Sequence, residues 1–205
     1  MNKNDVIQGS PEWLHKRKTA ITGTMLKGLM GTSKARQEAF YEAIAERLTV
    51  GVEDEYENAM DRGTRLEPDG IAAFEFATGK SVERVGFCES DENPAIAQSP
   101  DGYVKDTGDT EAYENKCLGG KNHVKLWLTN EIPDDYHWQC VQYFVVNDKL
   151  LKLHFGGYNP DIPVHPLHII TINRADIEAD ITRAKEAEKV FLQELEATLS
   201  TIISL

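Results

Sequence analysis

The chain has no run of about 18 apolar residues, which excludes a membrane-spanning helix from the reading. Its start, MNKNDVIQGSPEW, lacks the apolar core of a secretion signal, so a cytoplasmic location is expected. Cysteine is scarce: Cys88, Cys117 and Cys140 are far apart, odd in number and form no CxxC pair. That argues for reduced thiols and leaves too few ligands for a four-cysteine iron–sulfur cluster. Positive charge is in deficit, with 22 Lys and Arg against 34 Asp and Glu and a net charge of −12. Such a surface does not bind nucleic acid indiscriminately, so any DNA contact must be local or bring cations of its own. Repeats, low-complexity tracts and Pro/Gly/Ser linkers are lacking too, and residues 1–205 read as one domain. GTSKAR at 31–36 is no phosphate loop, and no ATP site is expected.

What is present is a clear order of elements. SPEWLHKRK predicts a short helix with Ser10 as N-cap, Pro11 behind it and Trp13 as anchor. ITGTMLKGLMG predicts a second helix ending near Gly31, and Phe40, Ile44 and Leu48 mark an amphipathic third. A fourth is expected over 67–78, with Pro68 in its first turn and Gly79 past its end. SVERVGFCE, AIAQSPDGYV and EAYENKCL then read as strands, HVKLWLTN and DDYHWQCVQYFVV as helices, and LLKLHFGGY and LHIITI as strands. Asn173 starts a closing helix over 174–199. The class expected is α/β or α+β: a central mixed sheet flanked by helices. Trp127, Trp138 and Phe144 have the helical spacing of core residues, and the acidic 53–57 run reads as a solvated face. His165 and His168 read as structural.

The chemistry lies in two neighbouring stretches, QSPDGYV (98–104) and AYENKC (112–117). DTGD between them is a turn signal. With Thr107-Gly108 as a two-residue hairpin loop, Asp101 falls opposite Glu114, and two like charges meet. Lys116 shares the face of Glu114 by strand periodicity, while Asn115 points away and leaves its carbonyl near the site. Two carboxylates beside an ammonium suit Mg²⁺ or Mn²⁺, which would relieve the repulsion, and the lysine could orient or deprotonate a water. Glu67 is a third acid within reach of this chemistry. Taken alone, Glu-x-Lys on a strand is more often a surface ion pair.

The order Glu, Pro-Asp, Glu-x-Lys resembles the PD-(D/E)xK nuclease pattern. WLHKRKTAITGT (13–24), RGTRLEPDGIAAFEFATG (62–79), SPDGY (99–103), YENKC (113–117) and WQCVQY (138–143) follow the order of the lambda exonuclease and YqaJ-like viral recombinase family. The resemblance covers residues 10–160 in blocks. It implies a restriction-endonuclease-like core and a Mg²⁺-dependent 5′-to-3′ exonuclease of double-stranded DNA, encoded by a phage or prophage. It makes Asp101, Glu114 and the Asn115 carbonyl ligands of one metal and Glu67 the ligand of a second. Lys116 would position the nucleophilic water and Gln142 would stand beside the scissile bond. Arg17, Thr24 and Ser99 would hold a terminal 5′-phosphate, Thr24 standing where a serine is usual. A homotrimeric ring on DNA ends and a single-strand annealing recombinase as partner are implied by the resemblance alone. Other readings stay open: a structure-specific or restriction-like endonuclease, or a non-catalytic DNA-binding module. Arg17 could belong to a solvated basic run, Gln142 could be a satisfied buried amide, and Glu67 could favour a helix N-terminus.

Overall fold

The fold was analysed in a computed structural model that describes residues 1–48 and 60–204. The acidic 53–57 run lies outside the described residues, as does the side chain of Leu48. Helix α1 spans Pro11–Lys18, and its cap forms as the sequence suggests: Ser10 Oγ accepts from the Trp13 N–H at 3.2 Å. Helices α2 (Gly23–Leu29) and α3 (Ser33–Leu48) follow. Helix α4 runs Met60–Thr78, so it begins well before the expected start. Pro68 is therefore inside the helix, where it cannot donate to the preceding turn, and Glu67 is not at a helix N-terminus. Gly79, at φ +70°, ends it as anticipated.

Two strands expected as continuous are each broken. The first becomes β2 (Val82–Glu83) and β3 (Phe87–Glu89), the second β4 (Ala97–Gln98) and β5 (Gly102–Val104). Gly86 lies against the Val6 carbonyl, where a Cβ would collide, and Pro100 has no N–H for a ladder. The chain uses these breaks to move between two sheets, where one was expected. A small antiparallel sheet has the order β1-β3-β4, with the unforeseen β1 at Asn2–Asn4. The main sheet has the order β2-β5-β6-β7-β8, with β6 at Glu111–Cys117, β7 at Lys152–Tyr158 and β8 at Leu167–Asn173. Only the β6–β7 pair is parallel within it; helices α5 (Gly120–Thr129) and α6 (Asp134–Val146) make the crossover.

Alternation along β6 divides the core. Tyr113 faces α4, stacked on Phe74 with ring centroids 4.1 Å apart. Ala112 and Glu114 face α6, where Val141, Phe144, Leu153 and Phe155 form the main core. Helix α7 (Glu178–Ile203) packs on α6 after a 3-10 turn, Arg174–Asp176. Asn173 thus precedes that turn instead of capping the long helix, and its amide donates to Asp176 at 2.9 Å. Of the three aromatics assigned to the core, Phe144 is fully buried and Trp138 partly. Trp127 is 45% exposed and stacks on His165. No described helix is long and apolar enough to cross a membrane.

Candidate active site

The pairing that brings the acids together has the expected register: Gly102 faces Tyr113 and Tyr103 faces Ala112. The loop that sets it is longer than two residues. Strand β5 ends at Val104 and β6 begins at Glu111, and residues 105–110 turn back through positive φ at Asp106, Gly108 and Asp109. Asp101 stands just ahead of β5, next to Glu114 across the ladder. Its Oδ2 accepts from the Asn115 N–H at 2.7 Å.

Glu114 is 1% exposed and accepts three hydrogen bonds. Lys116 Nζ and the Tyr143 hydroxyl reach its two oxygens, and Gln139 Nε2 donates at 2.6 Å. Tyr143 also receives the Asp101 N–H at 3.2 Å, so one phenol joins both acidic residues. Burial, then the charge of Glu114, holds the Asp101 carboxyl well above the usual aspartate range; Lys116 opposes this and Glu67 adds to it. Burial pulls Lys116 down, but Glu114 and Asp101 outweigh it and hold the ammonium charged through the neutral range. Burial, with the Glu114 charge, raises Tyr143 and keeps its O–H as a donor.

The donor set fits a hard divalent cation. Two carboxylates face the same space, and the proton affinity that Asp101 gains is what a cation would relieve. Among the described residues no three His, Cys, Asp or Glu side chains already converge on one point. Glu67 is engaged by the Arg84 guanidinium and would have to exchange that partner. Asn115 turns its side chain towards α4, where Tyr113 donates to it at 3.0 Å and glycine at position 70 makes room for the amide. A cavity of about 620 Å³ opens beside the acids, lined by Glu67, Asp101, Arg84, Trp13, Gln8 and Ile7.

The structure does not bring Gln142 to this site. That amide is fully buried and donates to Ile21 O, Ala97 O and Glu188, so the assignment beside the scissile bond is corrected in favour of a buried amide. Gln139, on the same helix, is the glutamine that meets Glu114. The signal was available: Gln139 and Tyr143 are four apart and share a helix face, which Gln142 does not. Of the proposed phosphate ligands, Arg17 Nη1 donates to Ser99 Oγ at 3.3 Å, with its guanidinium 4.7 Å from the Trp13 ring. Thr24 is exposed in the first turn of α2, tied nearby by the Gly23 N–H to Gln98 Oε1 bond at 3.2 Å.

A mixed sheet flanked by helices, with two acids and a lysine on adjoining strands, defines a nuclease core of the PD-(D/E)xK type. Residues 12–149 match the YqaJ-like viral recombinase domain, and the chain belongs to that family as one of its nucleases. An alkaline exonuclease, LHK-Exo from Laribacter hongkongensis, superposes with a TM-score of 0.85 at 29% identity, over 95% of this chain and 97% of that one. The same enzyme in complex with dAMP gives 0.84 at 29% identity, over 94% and 96%. A phage-related exonuclease from Haemophilus somnus 129PT shares the fold, with a TM-score of 0.61 at 16% identity over 87% and 96%. No curated protein matches the chain. Nucleases of this family generally depend on a divalent metal and act on DNA ends.

Proposed function

We propose that this deoxyribonuclease hydrolyses one strand of duplex DNA from its 5′ end, as a single nuclease domain spanning the chain. The observation that carries the reading is the crowding of Asp101 and Glu114 beside Lys116, an arrangement poorly compensated without a cation. Asp101, Glu114 and the Asn115 carbonyl would hold one Mg²⁺ or Mn²⁺, and Glu67, on leaving Arg84, a second. When bound, such ions would supply Lewis-acid polarisation of the phosphodiester and neutralise charge on the leaving oxygen. The chain's own residues do the rest. Lys116 orients a water, and Gln139 and Tyr143 keep Glu114 in place. Arg17, Ser99 and Thr24 would grip a terminal 5′-phosphate, whose extra charge distinguishes it from an internal diester. Each cut leaves a new 5′-phosphate, so the same pocket would advance the enzyme along the strand. Family resemblance supports a phage or prophage origin, a homotrimeric ring and a single-strand annealing partner.

Linear duplex labelled separately at each 5′ and 3′ end, incubated with Mg²⁺ or EDTA, tests this reading. Early release of 5′ label, only with metal, is expected, and a covalently closed circle should survive. Cleavage of the circle would replace the exonuclease by an endonuclease of the same fold. A 5′-hydroxyl duplex should be digested more slowly than its phosphorylated match, and Arg17→Ala should shrink that preference. Light scattering should report a trimer.

A further inference from the structure

Gln142 and Glu188 are fully buried together where α6 meets α7. Gln142 Nε2 donates to Glu188 Oε1 at 2.8 Å and to the carbonyls of Ile21 and Ala97, each at 3.3 Å. Those carbonyls can only accept, so they determine which end of the amide is nitrogen. One amide hydrogen then serves Glu188 and the other is shared by the two carbonyls. Two buried oxygens are left without a donor, Gln142 Oε1 and Glu188 Oε2. An ionised carboxylate has no hydrogen to offer, and burying it beside a neutral amide is costly.

Several cations on the helices around the pair are engaged elsewhere, and Lys189, next to Glu188 on α7, is exposed. Lys185 on α7 is 2.8 Å from Asp148 and 3.8 Å from Glu92. Lys27 on α2 pairs with Asp135, and Arg36 on α3 with Glu194. On α6, Asp134, Asp135 and His137 lie near its start, His137 reaching Asp180, while burial keeps Cys140 and Tyr143 neutral. Burial pushes the Glu188 carboxyl up to about 8, against the opposing pulls of Gln142 and Lys185.

We infer that Glu188 carries a proton on Oε2 and forms with Gln142 a closed acid–amide pair that positions the active-site face of α6. The proton lets Oε2–H donate to Gln142 Oε1, so both orphan oxygens are satisfied. Gln142 in turn joins α6, with Gln139 and Tyr143, to the two backbone segments that lead into the site. One runs from Ala97 through Ser99 to Asp101, the other from Ile21 to Thr24. Glu188 and Gln142 are therefore positioning residues. The positioning half of the inference rests on the nuclease reading; the protonation half does not.

The test compares wild type, Glu188→Gln and Glu188→Ala by thermal unfolding from pH 5 to 9, by infrared spectroscopy at pH 7, and by initial rates on 5′-phosphorylated duplex with Mg²⁺. Glutamine at 188 offers a permanent N–H to Gln142 Oε1. Wild type should lose stability relative to Glu188→Gln as pH rises from the ordinary glutamate value, near 4.5, to about 8, and then level off. The change should be on the order of a thousandfold in the folding equilibrium. The wild-type minus Glu188→Gln difference spectrum should show a protonated-carboxyl stretch, which any band from Asp101, common to both proteins, does not produce. Glu188→Gln should cleave within about twofold of wild type, whereas Glu188→Ala should lose kcat with little change in KM. A pH-independent difference in Tm, or no protonated-carboxyl band assignable to Glu188, overturns the protonated pair. A folded Glu188→Ala with wild-type kcat overturns the positioning role. A wild type with no nuclease activity in any divalent cation would sink the functional reading, while the unfolding and infrared results would still decide the proton.

Discussion

Glu111 and Glu114 lie three residues apart on β6, on opposite faces, and the protein surrounds them differently. Glu111 is met by an ammonium and an imidazole: Lys80 Nζ at 2.6 Å and His154 Nε2 at 3.0 Å, with His154 held in turn by Thr171 at 2.9 Å. The hydrogen bonds from His154 and Lys80 lower its carboxyl to about 2. Glu114 shares its space with a second acid, Asp101, whose carboxyl is raised, and among the described residues has Lys116 as its one ion-pair partner. The first cluster is compensated and contributes to folding. The second is left short of positive charge where the cavity opens, which is what a cation-binding catalytic site requires. One strand thus carries a compensated acid and, beside Asp101, the acid we propose to be functional, told apart by their neighbours.

The largest contrast should come from removing the charge of Asp101. Asp101→Asn should lower nuclease rate by about a thousandfold or more. Its Tm without metal should match or exceed that of wild type. The raised carboxyl weakens folding as pH climbs above the ordinary aspartate value, so the variant's advantage should grow with pH from there. A variant that cuts at near-wild-type rate would remove Asp101 from the site.

Gln139→Ala tests the α6 side of the functional cluster. It should cost roughly 10- to 100-fold in rate, since Gln139 holds Glu114, the proposed ligand, by a hydrogen bond. An equal kcat in steady-state assays would mean that Lys116 and Tyr143 suffice to hold Glu114.

Glu111→Gln should do the reverse of Asp101→Asn: activity is retained and stability falls by about 1–2 kcal/mol, after allowance for solvent screening. The contribution of a lowered carboxyl is complete above the ordinary glutamate value and disappears as pH falls through about 2. Denaturant titrations of wild type and variant should therefore converge at the acid end. A gap that persists there would assign the stability to packing, not charge.

Arg84→Ala should have the smallest effect on folding, under about 1 kcal/mol, because Arg84 is 61% exposed. It should, however, free Glu67 and lower the Mg²⁺ concentration needed for half-maximal rate. An unchanged or higher requirement would mean that the ion pair does not compete with the metal.

Much of this was legible without coordinates. The helix caps at Ser10 and Gly79, the helices through α6 and the register of the β5–β6 hairpin follow from local turn chemistry and hydrophobic period. Gln142 was misread because two glutamines in WQCVQY fit one motif, and only the helix face separates them. The two broken strands were hidden because Gly86 and Pro100 signal a break without saying which sheet receives the next piece.

By itself, then, the sequence determined that Asp101, Glu114 and Lys116 meet at one end of a strand pair, because period and register are local properties of the backbone. It determined the family as well, through motif order. The tertiary structure decided which carboxylates are compensated, since Lys80, His154, Arg84, Gln139 and Tyr143 reach their acids only after the helices and strands have packed. Charge and hydrogen bonding act over a few ångströms of space, and in this chain those few ångströms join residues 17 to 43 positions apart.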